Sequence, residues 1–137
     1  MGPCYNKILG SYQKWFVGND ARAIMLADQD IVSQVGQNIY PLVAAENTVG
    51  DFIIYSRLRY GKKDVKMGVY EDDCSLAVVA VSDNYDNAIL LASKIDNALT
   101  GQHIVGENNT KLTFQLEDSS EVFEDNKYIE TLQFSIK

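Results

Sequence analysis

The sequence predicts an α+β fold in which an antiparallel four-stranded sheet carries helices packed on one face. Four segments show the apolar patterns of β-strands, and two regions repeat apolar residues every three or four positions, as helices do. Their order along the chain is helix, strand, strand, helix, strand, strand, and the helices are the only available cover for the apolar strand faces. Since 137 residues is an ordinary size for one domain, we expect residues 1–137 to form a single domain.

The helical N-terminal region is expected to span residues 1–40 in broken pieces. Aromatic and aliphatic side chains recur at helical spacing over 5–17, and we expect them, including Trp15, to be core contacts. Gly18 is the expected end of this first helix, because glycine commonly ends helices. A second helix is expected over 21–28.

A short helical turn at 31–35 is expected to complete that region, with Asp30 as its N-terminal cap. Gly36 ends this turn, and Pro41, after Ile39 and Tyr40, marks the exit from helix, because proline lacks the backbone N–H that a helix interior needs. Residues 41–51 then form a loop into the second part of the chain, the strand-strand-helix-strand-strand unit at 52–137.

The first two strands differ in pattern. Residues 52–60 alternate, which is typical of a strand with one buried and one partly solvated face. The more apolar face, expected to be buried, carries Phe52, Ile54, Ser56, Leu58 and Tyr60. The other face carries Ile53, Tyr55, Arg57 and Arg59. Residues 76–81, which are followed by Ser82, are apolar on both faces, so the second strand is expected inside the sheet.

The stretch between these strands, residues 61–73, is long for a turn and strongly charged. Its basic residues come first and its acidic residues second: Lys62, Lys63, Lys66, then Glu71, Asp72, Asp73. Opposite charges could face each other across an extended hairpin. A disordered, solvated tip fits the composition equally well.

The clearest helix is expected over residues 84–100. Its apolar stripe has the spacing of one helical face and consists of Ala88, Leu91, Ala92, Ile95, Ala98 and Leu99. Asp83 is the expected N-terminal cap, and Gly101 the C-terminal stop.

Two further alternating strands are expected at 111–117 and 127–137. The acidic stretch 117–125 joins them, either as a loop or as a broken strand around Val122 and Phe123.

Charge and motifs exclude several classes of function. A formal net charge of −7 argues against nucleic-acid binding, which needs Lys and Arg to neutralise phosphates. The charge is uneven: residues 1–67 sum to +2 and residues 68–137 to −9.

His103 is the only histidine and is expected in a surface loop, and no spacing of Cys, His or carboxylates matches a catalytic or metal motif. We therefore expect a non-enzymatic, intracellular protein without cofactor or metal. No stretch approaches the ~20 apolar residues of a membrane span, so no membrane partner is expected.

Several segments together resemble a known family. These are the exit Gly36-Gln-Asn-Ile-Tyr-Pro41, the strand Phe52-Ile-Ile-Tyr55, the charged hairpin, and the helix that runs to Ala98-Leu99-Thr100-Gly101. Over roughly residues 20–137 the chain resembles the small tail-completion (tail-terminator or head–tail joining) proteins of long-tailed phages and prophages. The matching features are patterns of packing and turns rather than reactive residues.

The resemblance implies a non-catalytic protein that forms a homo-oligomeric ring, typically six-fold, at the end of the tail tube. Its partners would be tail-tube and head-connector proteins, in the host cytoplasm during assembly and then in the virion tail, and DNA would pass through without specific binding. The candidate subunit interface is Arg57, Arg59, Lys62, Lys63, Lys66, Glu71, Asp72 and Asp73. The alternative is a cytosolic ligand-binding or regulatory α+β domain that acts as a dimer.

Overall fold

The structure, a computed structural model, describes residues 14–64, 70–106 and 108–137. Most of the helix expected over 5–17 lies outside these residues. After a 3-10 turn the elements in chain order are α1 (Val17–Leu26), α2 (Gln29–Val35), β1 (Ile39–Pro41), β2 (Phe52–Asp64), β3 (Tyr70–Ser82), α3 (Tyr85–Leu99), β4 (Gly101–Val105), β5 (Thr110–Glu124) and β6 (Lys127–Ile136).

The sheet has six strands in the order β1-β2-β3-β6-β5-β4. All neighbours are antiparallel except β1 and β2, which run parallel. The expectation of a four-stranded antiparallel sheet is therefore corrected. The four expected strands form the middle of the sheet, and a short strand lies at each edge. These edge strands come from the proline-containing exit and from the segment after α3, and both are too short to show a clear alternating pattern.

Two long hairpins extend the sheet through stretches that the sequence left open, although the tip of the first, residues 65–69, lies outside the described residues. The register of β2 and β3 continues to Asp64 opposite Tyr70, so the charged stretch forms an extended hairpin up to that pair. Residues 117–124 continue β5 as a strand, with a shift in register between Leu116 and Asp118. The acidic stretch is therefore a strand rather than a loop, but it is continuous through Val122 and Phe123 and is not broken there as expected.

The helices pack on one face of the sheet and bury a common core. Helical residues of this core include Ala21, Met25, Ile31, Leu91, Ile95 and Leu99. Strand residues include Ile53, Tyr55, Leu76, Val78, Leu112, Phe114, Leu132 and Phe134. Burying each large aliphatic or aromatic side chain stabilises the fold by about 1.5–3 kcal/mol.

The face of β2 that packs on the helices is opposite to the expected one. Ile53 and Tyr55 are buried and lie opposite Ala80 and Val78 of β3, whereas Phe52 and Ile54 are only half-buried. Both faces of this strand carry large apolar residues at its start, so alternation alone did not distinguish them. The decision comes from β3 and the helix layer.

Gly18 does not end a helix, as the sequence suggested, but lies in the first turn of α1. A Cβ atom at Gly18 would lie 3.1 Å from Cε2 of Tyr55, tighter than ordinary van der Waals contact. The glycine therefore permits the close approach of α1 to the buried Tyr55 of β2.

Two helix caps also differ from the expected ones by one or two residues. Asp28, not Asp30, caps α2, and its carboxylate accepts a hydrogen bond of 3.1 Å from the backbone N–H of Ile31. Asn84, not Asp83, caps α3, and its side chain accepts a 3.0 Å hydrogen bond from the N–H of Asn87. Adjacent residues with similar capping chemistry cannot be ranked by composition, because the cap is the one whose backbone is extended at the helix start.

Candidate subunit interface

Arg57 and Trp15 form an exposed contact at the edge of the helix layer. The Arg57 guanidinium carbon lies 4.7 Å from the centroid of the Trp15 ring, and Nη1 donates a hydrogen bond of 3.4 Å to the Trp15 carbonyl oxygen. Tyr60 meets the same ring edge-on, with centroids 5.4 Å apart. Trp15 is 58% exposed and the neighbouring Phe16 is 61% exposed, so Trp15 is not the core contact that its spacing suggested. Exposed aromatic and Arg side chains are enriched at protein interfaces.

A bulge in β2 creates this contact. The register shifts between Arg57 and Arg59: Arg57 lies opposite Leu76 and Tyr60 lies opposite Cys74, both of which belong to the core. Directly paired residues share a face of the sheet, so Arg57 and Tyr60 both lie on the helix side. Strict alternation would have placed these two residues on opposite faces. A bulge inserts one residue, and therefore it cannot be read from periodicity.

Arg59 lies on the opposite face and forms an ion pair within the hairpin. Its Nε is 3.1 Å from Oδ2 of Asp73 on β3, and its side chain is 66% exposed. An exposed pair of this kind contributes about 0–1 kcal/mol to stability. The guanidinium therefore remains accessible to a partner.

The register places Lys62 opposite Asp72 and Lys63 opposite Glu71. The expected arrangement of opposite charges across an extended hairpin is thus present in the strand pairing. Lys66 lies outside the described residues. The strand pairing brings together all the other candidate residues along β2 and β3, and their role in an interface stays a prediction.

A second polar cluster, absent from the sequence analysis, lies where β5 and β6 meet the start of α3. Glu121 lies directly opposite Glu130 in the strand register. The Tyr85 hydroxyl of α3 donates to Glu121, at 3.0 Å from Oε1 and 3.2 Å from Oε2. Oε2 of Glu130 is buried, and without a proton on the carboxyl pair it has no hydrogen-bond partner among the described residues, whereas a protonated Glu130 donates to Glu121. Like charges directly opposite on a sheet destabilise it, unless a proton neutralises one of them.

The environment favours such a proton. Burial, then a hydrogen bond with Glu121 and the charge of Glu121, raise the pKa of Glu130 to about 7. The hydrogen bond to Glu121 is also the main reason that the pKa of Tyr85 is raised. Two carboxyl groups that face each other in this way titrate as a pair, so the pair takes up one proton as the pH falls through about 7. Only the register of β5 and β6 brings residues 121 and 130 together, and no pattern in the sequence indicates it.

His103 has a structural role in β4 rather than a place in a surface loop. Its Nε2 lies 2.8 Å from the Leu99 carbonyl oxygen at the end of α3, and its ring meets Phe114 edge-on at 5.5 Å. The contact with a helix-terminal carbonyl accounts for a histidine at this position.

The described part of the chain contains no group of three or more His, Cys, Asp or Glu side chains arranged to hold a metal ion. None of the helices in the same residues has the length and apolar character that a membrane crossing requires.

Comparison with solved structures is informative, whereas comparison with sequences is not. No family model matches the sequence, and no curated protein matches it. A chain in the solved structure of the virion of native gene transfer agent (GTA) particle has a similar fold, with a TM-score of 0.68 and 14% sequence identity. The match covers 85% of this chain and 89% of that chain. At this level of identity the similarity establishes a shared fold.

Proposed function

We propose that this protein is a structural component of a phage-like virion, and that it acts there as a tail-completion or head–tail joining protein. In this role it forms a ring at the end of the tail tube, stops growth of the tube and offers a surface for the head. The observation that carries the proposal is the fold shared with a chain of the GTA virion particle over most of both chains. The tail-end role comes from the family resemblance of the sequence.

The positions of the two long hairpins support assembly into a ring. Following the strand directions across β2, β3, β6 and β5, the β2–β3 turn and the β5–β6 turn lie at opposite ends of the sheet. The arm of β2 toward the first turn is rich in Arg and Lys, whereas the arm of β5 toward the second is rich in Asp and Glu. A ring is built from heterologous contacts, in which two different patches of one subunit complement each other. The outer strands of the two hairpins carry opposite charge, and the cations of β2 are balanced on their inner side by Glu71, Asp72 and Asp73 of β3.

The overall charge fits the passage of DNA through such a ring. The net charge is −7, and residues 68–137 carry −9. A wall of this sign repels phosphates and therefore disfavours adhesion of the genome.

The direct test is deletion of the gene in the source strain, followed by electron microscopy of the particles. We expect tails of abnormal length and heads without attached tails, with both defects corrected by the wild-type gene. A tagged copy should label one end of the tail tube. Normal particles after deletion, or a label on the capsid alone, would contradict the tail-completion role. A label on the capsid alone would still be compatible with a virion component.

A further inference from the structure

Each outer edge of the sheet has a long segment without a strand partner among the described residues. The register of β1 covers β2 only at 53–55, and the register of β4 covers β5 only at 110–114. This leaves residues 56–64 of β2, here called the basic edge, and residues 115–124 of β5, here called the acidic edge. At about 3.3 Å per residue both segments are roughly 30 Å long. Unpaired edge strands present rows of N–H and C=O groups to which another strand can bind.

The two edges have opposite charge. Along β2 itself, the basic edge carries Arg57, Arg59, Lys62 and Lys63 against Asp64, a net charge of +3. On the inner side of this strand, Asp72 and Glu71 of β3 lie opposite the two lysines and Asp73 pairs with Arg59, so the positive charge belongs to the outer strand only. The acidic edge carries Glu117, Asp118, Glu121 and Glu124 and no basic residue, a net charge of −4. Contact between two copies of the same edge would place like charges together, whereas contact between the basic and acidic edges places opposite charges together.

The positions of the edges are also complementary in shape. They lie on opposite sides of the sheet, since β2 and β5 are each next to a short outermost strand. They also extend toward opposite ends of the sheet. The pairing across β3 and β6 places Tyr55 of β2 level with Ser119 of β5, and Arg57 level with Leu116. From this level the basic edge continues toward the β2–β3 turn, and the acidic edge continues toward the β5–β6 turn. On the β2 side of the sheet, β1 covers only the start of β2, and on the β5 side, β4 covers only the start of β5. Each side therefore has a step, which is the place where the short outermost strand stops and the long strand continues uncovered. When two copies are displaced along the strand direction, the free segment of one fits into the step of the next.

We propose that the basic edge of one copy pairs with the acidic edge of the next, so that the sheet continues from subunit to subunit. Within one sheet β2 and β5 run in opposite directions, because three antiparallel pairings separate them. Copies in the same orientation therefore pair antiparallel. The displacement that the steps require is a stagger along the strands, and closure of a sheet into a cylinder needs such a stagger. This inference rests on the proposed function and names the surfaces that join neighbouring subunits.

Charge exchange between the two edges tests the pairing. The acidic-edge variant carries Glu117→Lys with Asp118→Lys, and the basic-edge variant carries Arg57→Glu with Arg59→Glu; all four side chains are exposed. The control for the acidic-edge variant, Asp30→Lys with Asp86→Lys, makes the same change of charge on exposed positions of α2 and α3. Self-association is measured by analytical ultracentrifugation at low and high salt, and folding of each variant is checked by circular dichroism and thermal unfolding.

We expect wild type and control to self-associate at low salt, and each edge variant to associate about 100-fold more weakly. The exchange makes the acidic edge neutral in one variant and the basic edge negative in the other, so the attraction between opposite charges is lost in both. An equimolar mixture of the two variants should recover association, because each variant offers the edge that the other needs. Recovery also shows that the variants are folded.

Edge variants that self-associate as strongly as wild type would overturn the edge pairing. This result would leave the proposed virion role intact. A wild-type chain that stays monomeric at high concentration and low salt would overturn it as well, since the pairing needs only copies of this chain. Normal particles after gene deletion would instead contradict the proposed function.

Discussion

Replacement of Glu130 by Gln tests whether the facing carboxyl groups of β5 and β6 share a proton near neutral pH. In the wild-type chain the pKa of Glu130 is raised from 4.5 to about 7, first by burial and then by Glu121. The folded state therefore binds this proton more tightly than the unfolded chain does. The resulting stability is complete below about pH 4.5 and is lost as the pH rises through about 7. Gln has nearly the same shape and does not titrate, so this pH dependence should disappear.

The size of the effect follows from the pKa difference and the exposure of the pair. One pKa unit corresponds to about 1.36 kcal/mol, so a shift from 4.5 to about 7 would lower the free energy of unfolding by at most about 3.4 kcal/mol. Glu130 is only half-buried and Glu121 is exposed, so water screens their interaction. We expect about 1 kcal/mol, which is about 3–6 °C in Tm for a chain of this length.

The measurement is urea unfolding of wild type and Glu130→Gln at pH 4 and pH 8. The free energy of unfolding of the variant minus that of wild type should be about 1 kcal/mol larger at pH 8 than at pH 4. The other carboxylates contribute equally to both proteins, so their contributions cancel in this difference. Glu124→Gln is the matched control, because Glu124 is exposed on β5, the strand of Glu121, and lies opposite Lys127 rather than another carboxylate. A variant whose relative stability is the same at both pH values would refute the shared proton.

Three further substitutions test the packing and the candidate interface. Asn84→Ala should lower the free energy of unfolding by about 1 kcal/mol in urea titrations, and Asp83→Ala by clearly less, because only Asn84 caps α3; equal losses would contradict the assigned cap. Phe134→Ala should cost about 3–5 kcal/mol in the same assay, since this ring is fully buried in the core, and a loss below about 1 kcal/mol would be inconsistent with that burial. Arg57→Ala should shift the fluorescence emission of Trp15, the only tryptophan, to longer wavelength with little change in stability; an unchanged spectrum would argue against the stacking.

The sequence was most informative where local signals agree. The stripe from Ala88 to Leu99 predicted α3 to within a residue at each end, because caps, propensity and periodicity all act within one helix. The apolar run at 76–81 predicted an interior strand, and β3 lies between β2 and β6. Both are consequences of near neighbours in the chain, which the sequence displays directly.

The candidate interface was predicted less completely. The charged residues of β2 and β3 were identified from their order along the chain, and the register pairs them as expected. The stacking of Arg57 on Trp15 was missed, because it depends on a bulge and on a residue that lies 42 positions earlier in the chain, in the 3-10 turn before α1. The Glu121–Glu130 pair was missed for a related reason: a one-residue change in the register of β5 and β6 would separate the two carboxyl groups.

The sequence by itself determined the element types in the middle of the fold, the expected helix cover and the segregation of charge along the chain. The tertiary structure decided which face of β2 is buried, added the two edge strands and placed the charged segments on opposite sides of the sheet. The physical reason is the range of the interactions involved. Helix formation and strand alternation depend on residues a few positions apart, so the sequence of one segment is enough to predict them. Strand order, register and free edges depend on pairing between segments that are distant in the chain. The sequence of a single segment does not specify its partner.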